Sequence, residues 1–168
     1  MEELKYCYKY PRPAVTTDCV IFGFDGKNLK VLLIKRGNEP FKDKWAFPGG
    51  FLNMNETAEE GALRELKEET GLESVFLEQF HTYSDVHRDP RERVISIAFL
   101  ALVKIQDVKG GDDAKEARWF SVNEMPELAF DHELIFKDAF SRLQEMVQKS
   151  PDENDIFPAN LINQELQK

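Results

Sequence analysis

The sequence predicts an α+β domain or an α/β/α sandwich, in either case with a mixed β-sheet between helices. Segments rich in β-branched and aromatic residues alternate with two amphipathic helical segments, at residues 57–70 and 131–148. The order along the chain is strands, helix, strands, helix, so a sheet and the helices that cover it belong to one unit. At 168 residues, the chain is long enough to bury the core of a single domain.

The first strands form a predicted hairpin. The segment TTDCVIFGF at 16–24 is extended by composition, DGKN at 25–28 is a turn signal, and LKVLLIKR at 29–36 is the returning strand. A short extended piece, WAFPGGF at 45–51, follows a polar loop. These segments place three strand-forming stretches before the first helix.

The first helix has both a start and a stop signal. Thr57 and Glu60 form the T-x-x-E pattern of a capping box, with Asn55 as an alternative cap, and Gly71 ends the helix. The apolar residues that recur at helical spacing, and so form its predicted buried face, are Ala58, Ala62, Leu63 and Leu66.

The rest of the chain predicts three more strands and the second helix. The strands are expected at 74–83, 93–105 and 116–122. The buried face of the second helix is expected to comprise Leu134, Ile135, Ala139, Phe140, Leu143 and Val147. We therefore divide the chain into three parts: an N-terminal arm or edge strand at 1–14, the main domain at 15–149 and a C-terminal tail at 150–168.

Composition limits the possible partners and location. The net charge is −9, from 31 acidic and 22 basic residues, which argues against nucleic-acid binding because that needs a basic surface. No apolar run approaches the about 18 residues of a membrane span, and the charged N-terminus lacks a signal-peptide core. With Cys7 and Cys19 interpreted as reduced thiols, we expect a cytoplasmic protein with no membrane partner.

The first helix also concentrates negative charge. Glu65, Glu68 and Glu69 are three and four positions apart and therefore share one helix face. Like charges at this spacing destabilise a helix by roughly 0.2–0.5 kcal/mol per pair, and Arg64 offsets only part of the repulsion. One interpretation is a solvated acidic face. The other is a site for a hard cation, Mg²⁺ or Mn²⁺, which prefers carboxylate oxygens.

The spacing of these residues favours the metal site. The chain has Gly50, five residues, Glu56, seven residues and then RELKEETGL at 64–72. This resembles the Nudix box, G-x5-E-x7-R-E-U-x-E-E-x-G-U with U a bulky aliphatic residue, and every specified position is filled. From average composition, chance agreement is on the order of 10⁻⁸ per window. The flanking VLLIKRG, WAFPGGF and EARWFSVNEMPEL are also similar to the family, so the resemblance covers about residues 15 to 145.

The resemblance implies a metal-dependent hydrolase of a nucleoside diphosphate linked to another moiety. The metal ligands that it implies are Glu65, Glu68 and Glu69, with Glu56 as a further or water-mediated ligand and the Gly50 carbonyl as another. Arg64 would orient these glutamates by ion pairing. The base that activates water would be Glu69, unless it is a ligand, or an acid of the loop 109–117. In that loop Glu116 is favoured over Asp112 and Asp113, although it is equally well explained as a surface acid.

One segment outside the box points to a substrate. YSDVHRDPRERVISIAFLALV at 83–103 resembles the corresponding segment of Nudix ADP-ribose pyrophosphatases. Arg88, Arg91 and Arg93 are its cations, which either bind a phosphate or belong to a solvated loop. We expect hydrolysis of ADP-ribose to AMP and ribose 5-phosphate.

Several alternatives stay open at this point. The same fold also serves nucleoside triphosphate pyrophosphatases and regulators that sense ADP-ribose. The short C-terminal remainder and the acidic charge disfavour the regulator. The aromatic N-terminal arm allows a homodimer, or it lies along its own sheet.

Overall fold

A seven-stranded mixed sheet forms the centre of the fold. The computed structural model describes residues 6–111 and 114–149. The strands are β1 (Ala14–Phe24), β2 (Leu29–Arg36), β3 (Trp45–Ala46), β4 (Gly49–Phe51), β5 (Glu78–Tyr83), β6 (Val94–Lys104) and β7 (Ala114–Ser121). The helices are α1 (Ala58–Thr70) and α2 (His132–Lys149).

The strand order is β3-β2-β1-β6-β5, with β4 pairing to β1 and β7 pairing to β2. β1 and β6 run parallel along their whole length, whereas the other pairs are antiparallel. The predicted mixed sheet is therefore confirmed. The predicted hairpin is also present, and Asp25 Oδ1 closes its turn by accepting from the backbone N–H groups of Lys27 and Asn28.

The two faces of β1 pack against different helices. Phe22 lies in a core cluster with Ile135 of α2, whereas Ile21 lies in a second cluster with Leu66 of α1. Since neighbouring residues of a strand point to opposite faces, the sheet separates the two helices. Full burial of side chains of this size contributes roughly 1.5–3 kcal/mol each. The predicted α/β/α sandwich is confirmed.

Helix α1 begins and ends where its signals predict. Thr57 is the N-cap: its Oγ1 accepts from the Glu60 N–H at 3.2 Å, and Glu60 Oε2 accepts from the Thr57 N–H at 2.8 Å. Gly71 has a left-handed φ of 77° and donates to the Lys67 carbonyl. The alternative cap, Asn55, is not used.

Some boundaries differ from the predictions. Residues 6–13 contain no strand, so the edge-strand alternative for the arm is wrong over that part, and β5 begins at Glu78 rather than at 74. Leu134 is 51% exposed, so its predicted place on the buried face of α2 is wrong, and His132 is buried on that helix instead. Ala58 and Leu63 are only half-buried. The predicted tail, 150–168, lies outside the described residues.

Within the described part of the chain, no helix has both the length and the apolar character that a membrane crossing requires.

Candidate active site

A cavity of about 360 Å³ lies beside β4, next to helix α1. Its walls come from β1, the end of β2, the segment 46–51, α1, the loop at 88–91 and the start of α2. The lining residues that matter most for the chemistry are Asp18, Arg36, Glu65, Glu69, Arg91 and His132.

Arg64 holds three glutamates of α1 and its preceding loop. Its Nε and Nη2 donate to the two carboxylate oxygens of Glu56 at 3.0 and 2.7 Å. Its Nη1 donates to Glu65 at 2.7 Å and to Glu68 at 3.2 Å, and its Nη2 also donates to the Phe51 carbonyl at 3.1 Å. The hydrogen bonds from Arg64 lower the pKa of Glu56 to about 2. The single guanidinium of Arg64 thus holds the three carboxylates close together despite their mutual repulsion.

Two glycines bring the backbone of β4 against the other side of this group. A Cβ on Gly50 would lie 2.5 Å from Glu65 Oε1, so only glycine allows this approach. The neighbouring Gly49 N–H donates to Glu69 Oε2 at 2.9 Å. The position of both carboxylates is therefore tied to the backbone of β4.

Glu69 has the most perturbed carboxyl group of the cavity. Its residue is 7% exposed, and its pKa is raised to about 8. Burial is the main cause, the Gly49 N–H opposes it, and the nearby negative charges of Glu65 and Asp18 raise it further. Burial also raises the pKa of Glu65. The carboxylates of Glu69, Glu65 and Asp18 thus repel one another, and a bound cation would reduce this repulsion.

The donor chemistry at this wall fits a hard divalent cation. The available atoms are carboxylate oxygens, and a cation would offset the cost of holding Glu69 beside Glu65 and Asp18. Glu65, Glu69 and Gly50 line the cavity, whereas Glu56 and Glu68 do not, and the Glu68 side chain is 41% exposed. Across 6–111 and 114–149, no group of three or more His, Cys, Asp or Glu side chains is already arranged around a metal position.

Of the three arginines predicted to bind substrate, two are engaged by other protein groups. Arg88 lines the cavity, but it is buried and donates bidentately to Asp131 at 2.9 and 2.7 Å. Arg93 does not line the cavity and donates to the carbonyls of Ser84 and Asp85. Both therefore hold the loop that precedes β6.

Arg91 also lines the cavity. Its guanidinium pairs with Asp89 at 2.7 Å and lies over the rings of Phe51 and Phe130, at 5.0 and 5.6 Å from their centroids. The two rings and the carboxylate fix the guanidinium, which still faces the cavity.

Arg36 is a cavity cation that the sequence interpretation missed. It ends β2, its Nε donates to the Pro40 carbonyl at 2.9 Å, and its guanidinium lies 4.8 Å from the Phe130 centroid. Among the described residues, no carboxylate lies within ion-pair distance of it. An available signal was its place two positions after the apolar run at 31–34, where β2 enters a loop.

The structure does not bring Glu116 to the cavity. Glu116 lies on β7 opposite Lys35 of β2, and its carboxylate pairs with Arg118. Asp112 and Asp113, the other acids of that loop, lie outside the described residues. Of the candidate bases within the described residues, Glu69 lines the cavity and Glu116 does not.

A buried polar network behind the cavity was also missed. Asp18 accepts a hydrogen bond from the Ser96 hydroxyl and lies 3.4 Å from His132 Nε2 and 3.8 Å from the Arg88 guanidinium. In the sequence, Asp18 is the one charged residue of the strand β1. That break in the pattern was the available signal.

Comparison with known proteins agrees with this geometry. The model of the NUDIX domain matches residues 12–140, most of the chain. The chain belongs to the Nudix family. As a Nudix hydrolase it is an enzyme of a family that generally depends on divalent metal. The family and fold expected from the box at 50–72 are therefore confirmed.

Three relatives illustrate the similarity of this Nudix hydrolase to proteins that act on or respond to ADP-ribose. An ADP-ribose pyrophosphatase of Methanocaldococcus jannaschii is 50% identical over 136 residues, which covers 81% of this chain and 78% of the relative. The ADPR responsive transcriptional repressor NtrR of Acinetobacter baylyi is 32% identical, covering 94% of this chain and 65% of the repressor. The NUDIX domain of Shewanella oneidensis NrtR, solved with ADP ribose, superimposes with a TM-score of 0.77 at 31% identity, covering 83% of this chain and 94% of that domain.

Proposed function

We propose that this Nudix hydrolase cleaves ADP-ribose to AMP and ribose 5-phosphate with Mg²⁺ or Mn²⁺. The observation that carries the proposal is the combination of charges in one cavity. The carboxylates of Glu65 and Glu69 and the guanidinium groups of Arg36 and Arg91 line the same space. An anionic diphosphate suits such a site once a cation covers the carboxylates. The 50% identical ADP-ribose pyrophosphatase supports the choice of substrate.

The reaction transfers a phosphoryl group to water. The water oxygen forms a bond to one phosphorus of the diphosphate, and the bond between that phosphorus and the bridging oxygen breaks. The bridging oxygen leaves on the other phosphate, and a base takes the proton from water. The site must therefore offset the charge of the diphosphate and accept a proton.

The residues proposed to hold the cation are Glu65, Glu69 and the Gly50 carbonyl at the cavity wall, with Glu68 and Glu56, which share Arg64 with Glu65, as further ligands. When bound, Mg²⁺ or Mn²⁺ would neutralise the diphosphate oxygens and lower the pKa of the attacking water. Arg64 supports this function by holding Glu56, Glu65 and Glu68 against their mutual repulsion. Each carboxylate then keeps its place when substrate leaves.

Glu69 is proposed as the proton acceptor or as a metal ligand, and Glu116 is set aside because it does not line the cavity. Glu69 is largely buried but lines the cavity, and the Gly49 N–H fixes one of its oxygens at 2.9 Å. A fixed carboxylate near the reacting water meets the geometric requirement for a base.

Arg36 and Arg91 are proposed to contact the substrate. Arg36 has no carboxylate partner within ion-pair distance among the described residues, so its charge is available to a phosphate. Arg91 presents a guanidinium that Phe51 and Phe130 already hold in place. Arg88, by contrast, is proposed to have a structural role, because its guanidinium forms an ion pair with Asp131.

A substrate panel tests the proposal. We expect kcat/KM for ADP-ribose with Mg²⁺ to exceed the values for dATP, dGTP and diadenosine polyphosphates. Glu69→Gln is expected to lower kcat by at least about a hundredfold, since it removes a base or a ligand. Glu116→Gln is the matched control, with kcat close to that of the unaltered enzyme. A preference for a nucleoside triphosphate would instead assign the enzyme to the triphosphate pyrophosphatases of the same fold.

The similarity to an ADPR-responsive repressor favours a second candidate, a regulator that binds ADP-ribose. A mobility-shift assay with duplex DNA from upstream of the protein's own coding sequence separates the two. Turnover of ADP-ribose without a shift supports the hydrolase. A shift that ADP-ribose reverses, without turnover, supports the regulator.

A further inference from the structure

His132 lies between the start of α2 and the segment that leads into the Nudix box. Its residue is 3% exposed, and its ring stacks on Phe47 with centroids 5.2 Å apart and planes at 15°. It also contacts the ring of Phe130 at 5.6 Å. The imidazole is thus enclosed by aromatic rings at the back of the cavity.

The hydrogen bonds of His132 fix its tautomer. The backbone N–H of Phe47 donates to Nδ1 at 3.0 Å, so Nδ1 carries no proton. Burial lowers the pKa of the ring, which therefore is neutral with its proton on Nε2. Nε2 lies 3.4 Å from Asp18 Oδ1. The acceptor side of the ring faces the backbone, and the donor side faces a carboxylate.

Three consecutive residues of the segment are each held by a different element. The Phe47 N–H is bound by His132 of α2, and the Pro48 carbonyl accepts from Cys19 of β1 at 2.8 Å. The Gly49 N–H donates to Glu69 of α1 at 2.9 Å. The backbone that His132 binds at Phe47 is thus only two residues from Gly49, the hydrogen-bond partner of Glu69.

We propose that His132 is a positioning residue of the active site. Its Nδ1 fixes the Phe47 backbone, and through the segment 47–50 it sets where Gly49 and Gly50 meet Glu69 and Glu65. No contact between His132 and substrate is needed for this role. The kinetic consequence rests on the proposed function, whereas the effects on metal binding and on the tautomer do not.

Two amide substitutions separate the two sides of the ring. In His132→Asn the amide oxygen can take the position of Nδ1 and accept from the Phe47 N–H. In His132→Gln the amide reaches the position of Nε2, toward Asp18, and leaves the Phe47 N–H without its acceptor. The pair is matched in chemistry and differs in which bond it keeps.

We expect His132→Gln to weaken Mn²⁺ binding, measured by electron paramagnetic resonance without substrate, by roughly tenfold, because the backbone that positions Glu69 and Glu65 loses its attachment at the Phe47 N–H. His132→Asn is expected to stay within about threefold of the unaltered protein. With ADP-ribose, kcat should follow the same order while KM stays nearly constant. Equal losses in both variants, a larger loss in His132→Asn, or a change confined to KM would overturn the positioning role.

Nitrogen-15 NMR of the imidazole in the unaltered protein tests the same inference independently of whether the variants fold. We expect the Nε2–H tautomer and slow exchange of the Phe47 amide proton. A proton on Nδ1 would overturn the proposal because that nitrogen could not accept. If ADP-ribose is not a substrate, the proposed function fails, and the Mn²⁺ affinities and the NMR result still decide the role of His132.

Discussion

Replacing Glu69 by glutamine should stabilise the metal-free protein, although we expect the same substitution to lower kcat. Glu69 is buried, and Glu65 and Asp18 add negative charge around it. Glutamine removes the ionisable group and still offers an oxygen to the Gly49 N–H, which Glu69 now accepts at 2.9 Å. The substitution therefore removes an electrostatic cost and keeps the hydrogen bond.

The size of the effect follows from the pKa of Glu69, which is raised from 4.5 to about 8 in the folded protein. Between these two values the folded state holds more protons than the unfolded state, so the free energy of unfolding falls as pH rises. A solution at about pH 7 lies about 2.5 pH units above the pKa of this carboxyl group in the unfolded chain. At about 1.4 kcal/mol per unit, holding Glu69 in the folded protein lowers the free energy of unfolding by up to about 3 kcal/mol. At about pH 5 the cost falls below about 1 kcal/mol.

Urea unfolding in a chelating buffer measures this difference. We expect Glu69→Gln to be more stable than the unaltered protein at about pH 7, by up to about 3 kcal/mol, and nearly equal to it at about pH 5. Glu59→Gln, on the exposed face of the same helix, is the control and should follow the unaltered protein. Saturating Mg²⁺ should stabilise the unaltered protein more than the variant. A variant that is less stable than the unaltered protein at both pH values, without metal, would refute the reasoning.

Two substitutions test how the Nudix box is held. Gly50→Ala places a Cβ 2.5 Å from Glu65 Oε1, so kcat should fall at least about tenfold in a folded protein; unchanged kcat would show that this approach is dispensable. Thr57→Ala removes the N-cap of α1 and should lower the free energy of unfolding by about 1 kcal/mol, with kcat retained at moderate temperature. Equal urea midpoints for this variant and the unaltered protein would contradict the cap.

Local signals account for the parts of the fold that the sequence predicted well. The turn at Asp25 and the capping box of Thr57 and Glu60 each depend on residues within a few positions of one another. The position of Leu134 was mispredicted because helical spacing alone allows the buried face to shift. Which face is buried depends on what the sheet presents, and α2 buries His132 instead.

The sequence predicted mainly those residues of the site that belong to the Nudix box. Glu65 and Glu69 follow from spacing along one helix, whereas the partners of the other residues are distant in sequence. Phe47 and His132 are 85 positions apart. Composition reveals how many arginines are present, but not which carboxylate forms an ion pair with each arginine. Arg88, for example, is bound by Asp131, which is 43 positions away in the sequence.

The central claim is most directly tested by identifying the products of ADP-ribose with the purified protein, with Mg²⁺ and again with chelator. The account predicts AMP and ribose 5-phosphate in equal amounts with metal, and none without it. Intact ADP-ribose in the presence of Mg²⁺ and Mn²⁺, or products that lack AMP, would contradict the account.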